Sequence, residues 1–476
     1  MAVVAEQVVR ERMHPAAWGC ILYILVAVGR LPELLPALAP FHVGKIAVAL
    51  ALIGILIGPP ATGRGVWSTP IGRLLLVLSA LAALSVLFSI WRSHSLDYLL
   101  TNFLSTVIVF FVIVRTAITR RMILLYLGAL LGAAGLLSLM AILADGGGRV
   151  AVSTSYDPND LALVLVTLLP LAVAAFFALR GCARTAVLVL AAAMLLVILL
   201  TGSRGGFLGL LTITGYLLFA RFPTARGGLT RRFSPAKMLV IVAGAVLLTI
   251  AVPPTTWDRM ATMTTVGDDY NITEDKGRVA IWKRGLDAIG KRPFGYGLAA
   301  YGAVDGRQGG VYQTAHNSWI QIGVELGVPG ALVLAALYIV ALRNLRDLRL
   351  HGLPRLRPAG RRITAPQLHA MAAVGLRGSL IGFLVTSFFL SAAYSTLLFV
   401  LFAIITACHV HARTAAAEAG STTTPASGGN RSRPPLADNH LTAPESPPAE
   451  PRPLPAETAS PRLRPRTPDV RRYWHS

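Results

Sequence analysis

A histidine at the start of an apolar run is the residue of this sequence best suited to acid–base chemistry. His316 lies in the segment 311–330, VYQTAHNSWIQIGVELGVPG, and we expect a membrane helix to begin there. Imidazole titrates near neutral pH and can accept a proton, and the neighbouring Asn317 can orient a nearby group. The alternative for a single interfacial histidine is a hydrogen bond to a lipid headgroup. The preceding 252–315 stretch is polar and basic, which favours an anionic, lipid-linked substrate.

A glycine-rich turn between two apolar runs contains the first candidate anion-binding residue. The sequence TGSRGG covers residues 201–206. Ser203 can cap the helix that follows, Gly205 allows close approach of a ligand, and Arg204 stands beside the exposed amides of a helix start, which suits a phosphate. The alternative is a tight turn whose arginine extends to the lipid headgroups.

A second candidate anion-binding residue begins the segment 277–302, GRVAIWKRGLDAIGKRPFGYGLAAYG. Arg278, Trp282 and Leu286 recur at helical spacing, so the guanidinium and the indole share one helix face. Lys283 and Arg284 continue the basic surface. An amphipathic helix lying on the membrane is the simpler interpretation, and it is compatible with binding of a lipid-linked substrate.

The motif SYDPND at residues 155–160 offers two carboxylates, Asp157 and Asp160. They could bind sugar hydroxyls or a cation. The interpretation that we favour is a helix start, with Asp157 as the cap and Pro158 in the first turn. The sequence has no cluster of His, Cys and carboxylate residues with metal-site spacing, so we expect neither a metal nor a cofactor.

Composition predicts an all-α polytopic membrane protein. Of 476 residues, 54% are hydrophobic and 14% are charged, against roughly 25% charged in soluble domains. The formal charge of +22 does not indicate nucleic-acid binding, because the arginines lie in loops and in the tail, where lipid headgroups attract them. About twelve spans are expected, at 16–36, 41–58, 71–91, 95–114, 122–143, 161–179, 185–201, 205–220, 237–253, 316–341, 371–391 and 393–411.

The loop charges predict the orientation of these spans. With residues 1–15 in the cytoplasm, the arginine-rich loops fall on the inside. Spans one to nine then occupy 16–251, the long loop 252–315 is extracytoplasmic, spans ten to twelve occupy 316–411, and the Pro-rich tail 412–476 is a disordered cytoplasmic segment. The first span is expected to be broken, because Arg30, Pro32, Glu33 and Pro36 interrupt it.

Taken together and in this order, TGSRGG, GRVAIW…RPFGYGLAAYG and AHNSWIQIGVELGVPG resemble the O-antigen ligase family, which also includes glycan polymerases of bacterial cell envelopes. The resemblance implies an inverting, metal-independent glycosyltransferase of the bacterial inner membrane, with its active site on the extracytoplasmic face. The implied donor is a glycan on undecaprenyl diphosphate, and the acceptor is a hydroxyl on lipid A core or on another glycan. Arg204 and Arg278 correspond to the family's diphosphate-binding arginines, and His316 to its catalytic histidine.

Two alternatives stay open from the sequence. A polysaccharide polymerase shares the donor and the motifs, and differs in an acceptor that the motifs do not encode. A small-anion transporter is the alternative of a different class. Transporters use broken or charged helices near the bilayer midplane, whereas the polar residues here collect at one surface, so glycosyl transfer is favoured.

Overall fold

The computed structural model of the chain describes residues 13–58, 66–144, 150, 156–232, 277–352 and 363–421, together with isolated positions between 235 and 274. Most of the predicted ninth span, the first part of the predicted 252–315 loop and the tail beyond Ser421 lie outside the described residues. In the described part the regular elements are helices, and an isolated bridge pairs Pro223 with Leu229. The predicted all-α class is confirmed for this part of the chain.

Fourteen helices are labelled here in chain order, and three shorter helical turns (31–34, 36–41 and 66–68) are left without labels. They are α1 (Ala16–Ala27), α2 (Val43–Ile57), α3 (Pro70–Leu87), α4 (Arg92–Thr116), α5 (Arg120–Leu143), α6 (Pro158–Ala178), α7 (Gly181–Leu200), α8 (Arg204–Phe219), α9 (Arg278–Lys291), α10 (Tyr301–Arg307), α11 (Ser318–Glu325), α12 (Gly327–Gly352), α13 (Ala365–Ser387) and α14 (Thr396–Ser421).

Eight helices of the described residues are long and apolar enough to cross a membrane, namely α3 to α7 and α12 to α14. The helices α1, α2 and α8 are apolar but shorter. The protein is therefore a multi-pass membrane protein, whereas the count of twelve spans stays a prediction. The break predicted in the first span is present, since α1 ends at Ala27 and Arg30 adopts a left-handed conformation with φ of 56°.

The prediction of one continuous span over 316–341 is wrong. Two helices occupy this stretch, α11 and α12, and they meet at Gly327, whose φ is +70°. A Cβ at Gly327 would lie 2.2 Å from the carbonyl oxygen of Pro293, so the chain turns where the 292–297 loop packs against it. His316 consequently precedes a short helix at the end of the bundle and does not begin a span.

The helix pair α6 and α13 forms the centre of the bundle. A Cβ at Gly378 would lie 2.5 Å from Cβ of Pro170, and one at Gly382 would lie 3.1 Å from the carbonyl oxygen of Val166. Small residues permit this close backbone approach, which supplies much of the packing energy between membrane helices. Both helices are largely buried, whereas α3 and α7 expose most of their surface.

The last helix is longer than predicted. α14 continues past residue 411 to Ser421. Between α13 and α14 the chain forms a compact turn over residues 388–395, which lies at the same end of the bundle as the starts of α6 and α8. This turn positions the residues described next.

Candidate active site

Arg204 begins α8 and lies against the turn between α13 and α14. Ser203 caps the helix as predicted, because its Oγ accepts a hydrogen bond from the amide of Gly206 at 3.1 Å. A Cβ at Gly205 would lie 3.2 Å from Cβ of Phe389. The cap fixes where the helix starts, so Arg204 is held at a helix N-terminus next to Phe389.

The helix predicted from the spacing of Arg278, Trp282 and Leu286 is present as α9, and Arg278 is its first residue. One turn later, the indole nitrogen of Trp282 donates to the carbonyl oxygen of Ala315 at 3.1 Å. The Trp282 ring also packs against both aromatic rings of the turn, with centroids 5.6 Å from Phe388 and 6.4 Å from Phe389. Trp282 therefore connects the helix that carries Arg278 to the neighbour of His316.

The apolar face of α9 is buried against α10 and α11. Ile281, Gly285 and Ala288 are the buried positions of this face. A Cβ at Gly285 would lie 2.4 Å from Cγ2 of Ile320, and the Tyr301 hydroxyl donates to the carbonyl oxygen of Ile281 at 2.9 Å. These contacts make α9, α10 and α11 one small packed unit.

His316 has a left-handed backbone, with φ of 45°. Its amide donates to Oγ of Ser391 at 2.9 Å, so the turn between α13 and α14 holds it in place. Asn317 is buried and caps α11, its Oδ1 accepting from the amides of Trp319 and Ile320. A left-handed conformation is costly for a residue other than glycine and persists where the surroundings impose it, often at functional sites.

Two charges of opposite sign act on the pKa of the His316 imidazole. Burial lowers the pKa of His316, the Arg278 guanidinium lowers it further, and the Asp157 carboxylate acts in the opposite direction. A neighbouring cation disfavours the protonated imidazolium, and a neighbouring carboxylate favours it. The net effect favours the neutral imidazole, which is the form that accepts a proton.

The turn over Phe388–Ser391 is the common neighbour of the three predicted residues. Its Phe389 contacts the first turn of α8, its aromatic pair packs on Trp282, and its Ser391 binds the amide of His316. The elements that carry Arg204, Arg278 and His316 are thus brought together. The supporting residues Ser203, Gly205, Trp282 and Asn317 hold these elements through caps and packing.

The sequence did not predict the Phe388–Ser391 turn, and it predicted only a capping role for Asp157. Residues 388–391 were predicted to end a membrane span, and Asp157 was interpreted as a cap, which it also is, since its Oδ1 accepts from the amide of Asn159 at 2.6 Å. The detectable signal was SFFLSAAYST at 387–396, where adjacent aromatics and five hydroxyl side chains interrupt an apolar run.

Three other basic residues of the 277–302 segment, Arg284, Lys291 and Arg292, have partners within the loop. Arg284 donates to Oδ1 of Asp305 at 2.8 Å, and the Asp305 side chain is fully buried. The buried pair stabilises the loop and leaves Arg284 poorly placed for a substrate. The remaining contacts of this kind are Lys291 with Asp287 at 2.5 Å and Arg292 over the ring of Tyr296 at 5.0 Å.

Metal coordination would need at least three suitable side chains in one place. Among the residues that the structure describes, no group of three or more His, Cys, Asp or Glu is arranged to hold an ion. The described site offers one imidazole, guanidinium groups, the Asp157 carboxylate and hydrogen-bonding side chains.

Comparison with known proteins gives one family. Residues 186–335 match the family model Wzy_C, described as O-antigen ligase. A search of curated proteins gives no match. The matched range contains Arg204, Arg278 and His316, whereas Asp157 and the Phe388–Ser391 turn lie outside it. The family resemblance that the three motifs predicted is confirmed.

Proposed function

We propose that this protein, whose residues 186–335 match the O-antigen ligase family, is a glycosyltransferase of the inner membrane. The donor is a glycan linked to undecaprenyl diphosphate, and the acceptor is a hydroxyl of lipid A core or of another glycan. Transfer takes place on the extracytoplasmic face. The positive charge of the predicted inside loops supports this orientation.

One observation carries the proposal: Trp282, one turn after Arg278, packs on the Phe388–Ser391 turn, and Ser391 of the same turn binds the amide of His316, so a helix that begins with a cation is held beside the histidine. The lowered pKa of His316, to which the Arg278 guanidinium contributes, agrees with this arrangement. A structural histidine at a membrane surface has no need of a neighbouring cation. A base that acts beside an anionic leaving group does, since the cation binds the substrate and also keeps the base neutral. The start of α8, with Arg204, packs on the same turn and supplies a second guanidinium.

The reaction follows from these roles as a single displacement. The neutral ring of His316 takes the proton of the acceptor hydroxyl as its oxygen attacks the anomeric carbon. The bond from that carbon to the diphosphate oxygen breaks, and undecaprenyl diphosphate leaves with the electron pair. Arg204 and Arg278 offset the charge that develops on the leaving oxygen. Attack from the face opposite the leaving group inverts the anomeric centre.

A polymerase is the second candidate, favoured by the same residues. Its acceptor is the non-reducing end of another lipid-linked glycan, and the donor chemistry is unchanged. Nothing in Arg204, Arg278 or His316 distinguishes the two acceptors, because these residues act on the diphosphate and on the attacking hydroxyl.

Reconstitution tests the proposal. The purified protein is placed in liposomes with an undecaprenyl-diphosphate oligosaccharide and, separately, with lipid A core or a second portion of the lipid-linked oligosaccharide. We expect release of undecaprenyl diphosphate together with a glycosylated acceptor, and the accepted partner identifies ligase or polymerase. Folded protein that releases no undecaprenyl diphosphate with either acceptor, or that moves an anion across the bilayer, would overturn it.

A further inference from the structure

A cavity of about 210 Å³ lies beside the candidate site. It is enclosed by the end of α1, the start of α6 and the turn between α13 and α14, and its walls include Arg30, Tyr156, Asp160 and Ser391. One water molecule needs roughly 10–15 Å³ of such volume, so the cavity has room for a small organic group. This space suits one sugar ring better than a longer glycan.

The cavity shares a wall with the proposed base. Ser391 lines the cavity, and its Oγ accepts the hydrogen bond from the amide of His316 at 2.9 Å. Asp157, which acts on the His316 pKa, immediately follows Tyr156 of the cavity wall. The cavity and the backbone of His316 are therefore in contact with the same side chain, Ser391.

The charges around the cavity are unsuited to a diphosphate. Arg30 is its cationic wall residue, but Nε of Arg30 lies 2.7 Å from Oε1 of Glu33, which offsets its charge. Asp160 adds a carboxylate to the wall and Asp157 lies just outside it. An anionic group is repelled here and attracted to Arg204 and Arg278, so the two halves of the site have opposite preferences.

The walls have the composition that sugar rings require. The Arg30 guanidinium stacks over the Tyr156 ring at 4.6 Å, which fixes the position of its N–H donors on the cavity wall. Asp160 supplies a charged acceptor for hydroxyl groups, and Ser391, Ser395 and Thr396 supply further polar atoms. Small-molecule sites commonly combine apolar walls with a few placed polar groups in this way.

We propose that this cavity binds the sugar ring of the acceptor, and that this ring carries no phosphate. The inference rests on the proposed function and adds to it a subsite formed by Arg30, Tyr156, Asp160 and residues 391–396. Bound there, the ring directs one hydroxyl towards His316, while the donor diphosphate occupies the arginine side. The Asp160 carboxylate of the SYDPND motif thereby becomes a determinant of acceptor specificity.

Two variants of the reconstituted full-length protein test the subsite. Asp160→Asn keeps the shape and removes the charged acceptor, so we expect the KM for the acceptor to rise about tenfold or more while the affinity for the lipid-linked donor is unchanged. Ala27→Leu fills the cavity from α1 without touching a polar group, and it should raise the same KM. The matched controls are Asp287→Asn, an exposed carboxylate on α9, and Ala27→Ser, which keeps the volume.

The outcomes separate this inference from the proposed function. If the wild-type protein transfers no glycan, the proposed function fails. If it transfers glycan and both Asp160→Asn and Ala27→Leu keep the acceptor KM of the controls, the subsite inference is overturned. A donor affinity that falls in both variants, with an unchanged acceptor KM, would assign the cavity to the donor and would also overturn it. An acceptor phosphorylated on the bound ring should react more slowly than its unphosphorylated form.

Discussion

The indole nitrogen of Trp282 lies 3.1 Å from the carbonyl oxygen of Ala315 and donates a hydrogen bond to it. This bond connects the helix that begins at Arg278 to the residue that precedes His316. The ring of the same tryptophan packs on Phe388 and Phe389, which border the start of α8. One side chain thus sets the spacing between the proposed leaving-group ligands and the proposed base.

Replacing Trp282 by Phe should slow turnover. Phenylalanine keeps the aromatic packing on the turn but loses the hydrogen bond to Ala315, which contributes about 1 kcal/mol. We expect kcat to fall several-fold, with a smaller change in donor affinity, because His316 would no longer be held at the correct distance from the bound diphosphate. Steady-state kinetics in liposomes measures both. Trp319→Phe, outside this contact, is the control, and equal kinetics for the two variants would contradict the positioning role.

The pH dependence of transfer should change in opposite directions in two variants. Burial and Arg278 lower the pKa of His316 and Asp157 raises it. In the wild type, kcat/KM should therefore fall only below the ordinary histidine pKa of about 6.5. Arg278→Gln removes a cation, so the His316 pKa and the acid limb move to higher pH. Asp157→Asn removes an anion, and the limb moves to lower pH.

Profiles of kcat/KM against pH test these two shifts. The pH at which activity falls on the acid side can be compared between variants even when their maximal activities differ. Arg278→Lys keeps the charge and serves as the control, with its limb near that of the wild type. If the limb stays in place in both Arg278→Gln and Asp157→Asn, His316 is not the group whose titration limits the rate.

The packing of α8 against α13 should depend on Gly209 and should not depend on Gly215. A Cβ at Gly209 would lie 2.4 Å from Cγ2 of Thr386, whereas a Cβ at Gly215 on the same helix meets nothing within 4 Å. Gly209→Ala should destabilise the protein by about 1–3 kcal/mol through overpacking and displace Arg204. Gly215→Ala should be neutral or stabilise it by up to about 1 kcal/mol. Thermal unfolding in detergent and donor binding give the comparison, and matching values for the two variants would show that α8 does not depend on this contact.

The proposed orientation can be tested with single reporter cysteines. Cys182 is the exposed native cysteine, and Cys20 and Cys408 are buried. The Cys182→Ser variant should therefore react little with a maleimide before a reporter cysteine is added. Two exposed positions suit the reporter: Tyr312 near His316, and Arg231 in the loop after α8. In right-side-out vesicles, a membrane-impermeant maleimide should label Tyr312→Cys and spare Arg231→Cys. The reverse pattern would place the site on the cytoplasmic side.

Local features could be predicted from the sequence because they depend on neighbouring residues. Ser203 and Asp157 cap helices as their positions before apolar runs indicate, and the spacing of Arg278 and Trp282 gave α9. The break at Gly327 was missed, since it depends on packing against Pro293, more than thirty residues earlier in the chain. The role of the Phe388–Ser391 turn was missed for the same reason, because its partners lie on α8, on α9 and beside His316.

The most direct test concerns His316. His316→Asn removes the base, while asparagine tolerates the left-handed conformation that this position requires. In liposomes with the undecaprenyl-diphosphate oligosaccharide and an accepted partner, we expect the variant to fold, to bind the donor with wild-type affinity, and to transfer glycan about 10²–10⁴-fold more slowly. Transfer at the wild-type rate by this variant would contradict the assignment of His316 as the base that activates the acceptor.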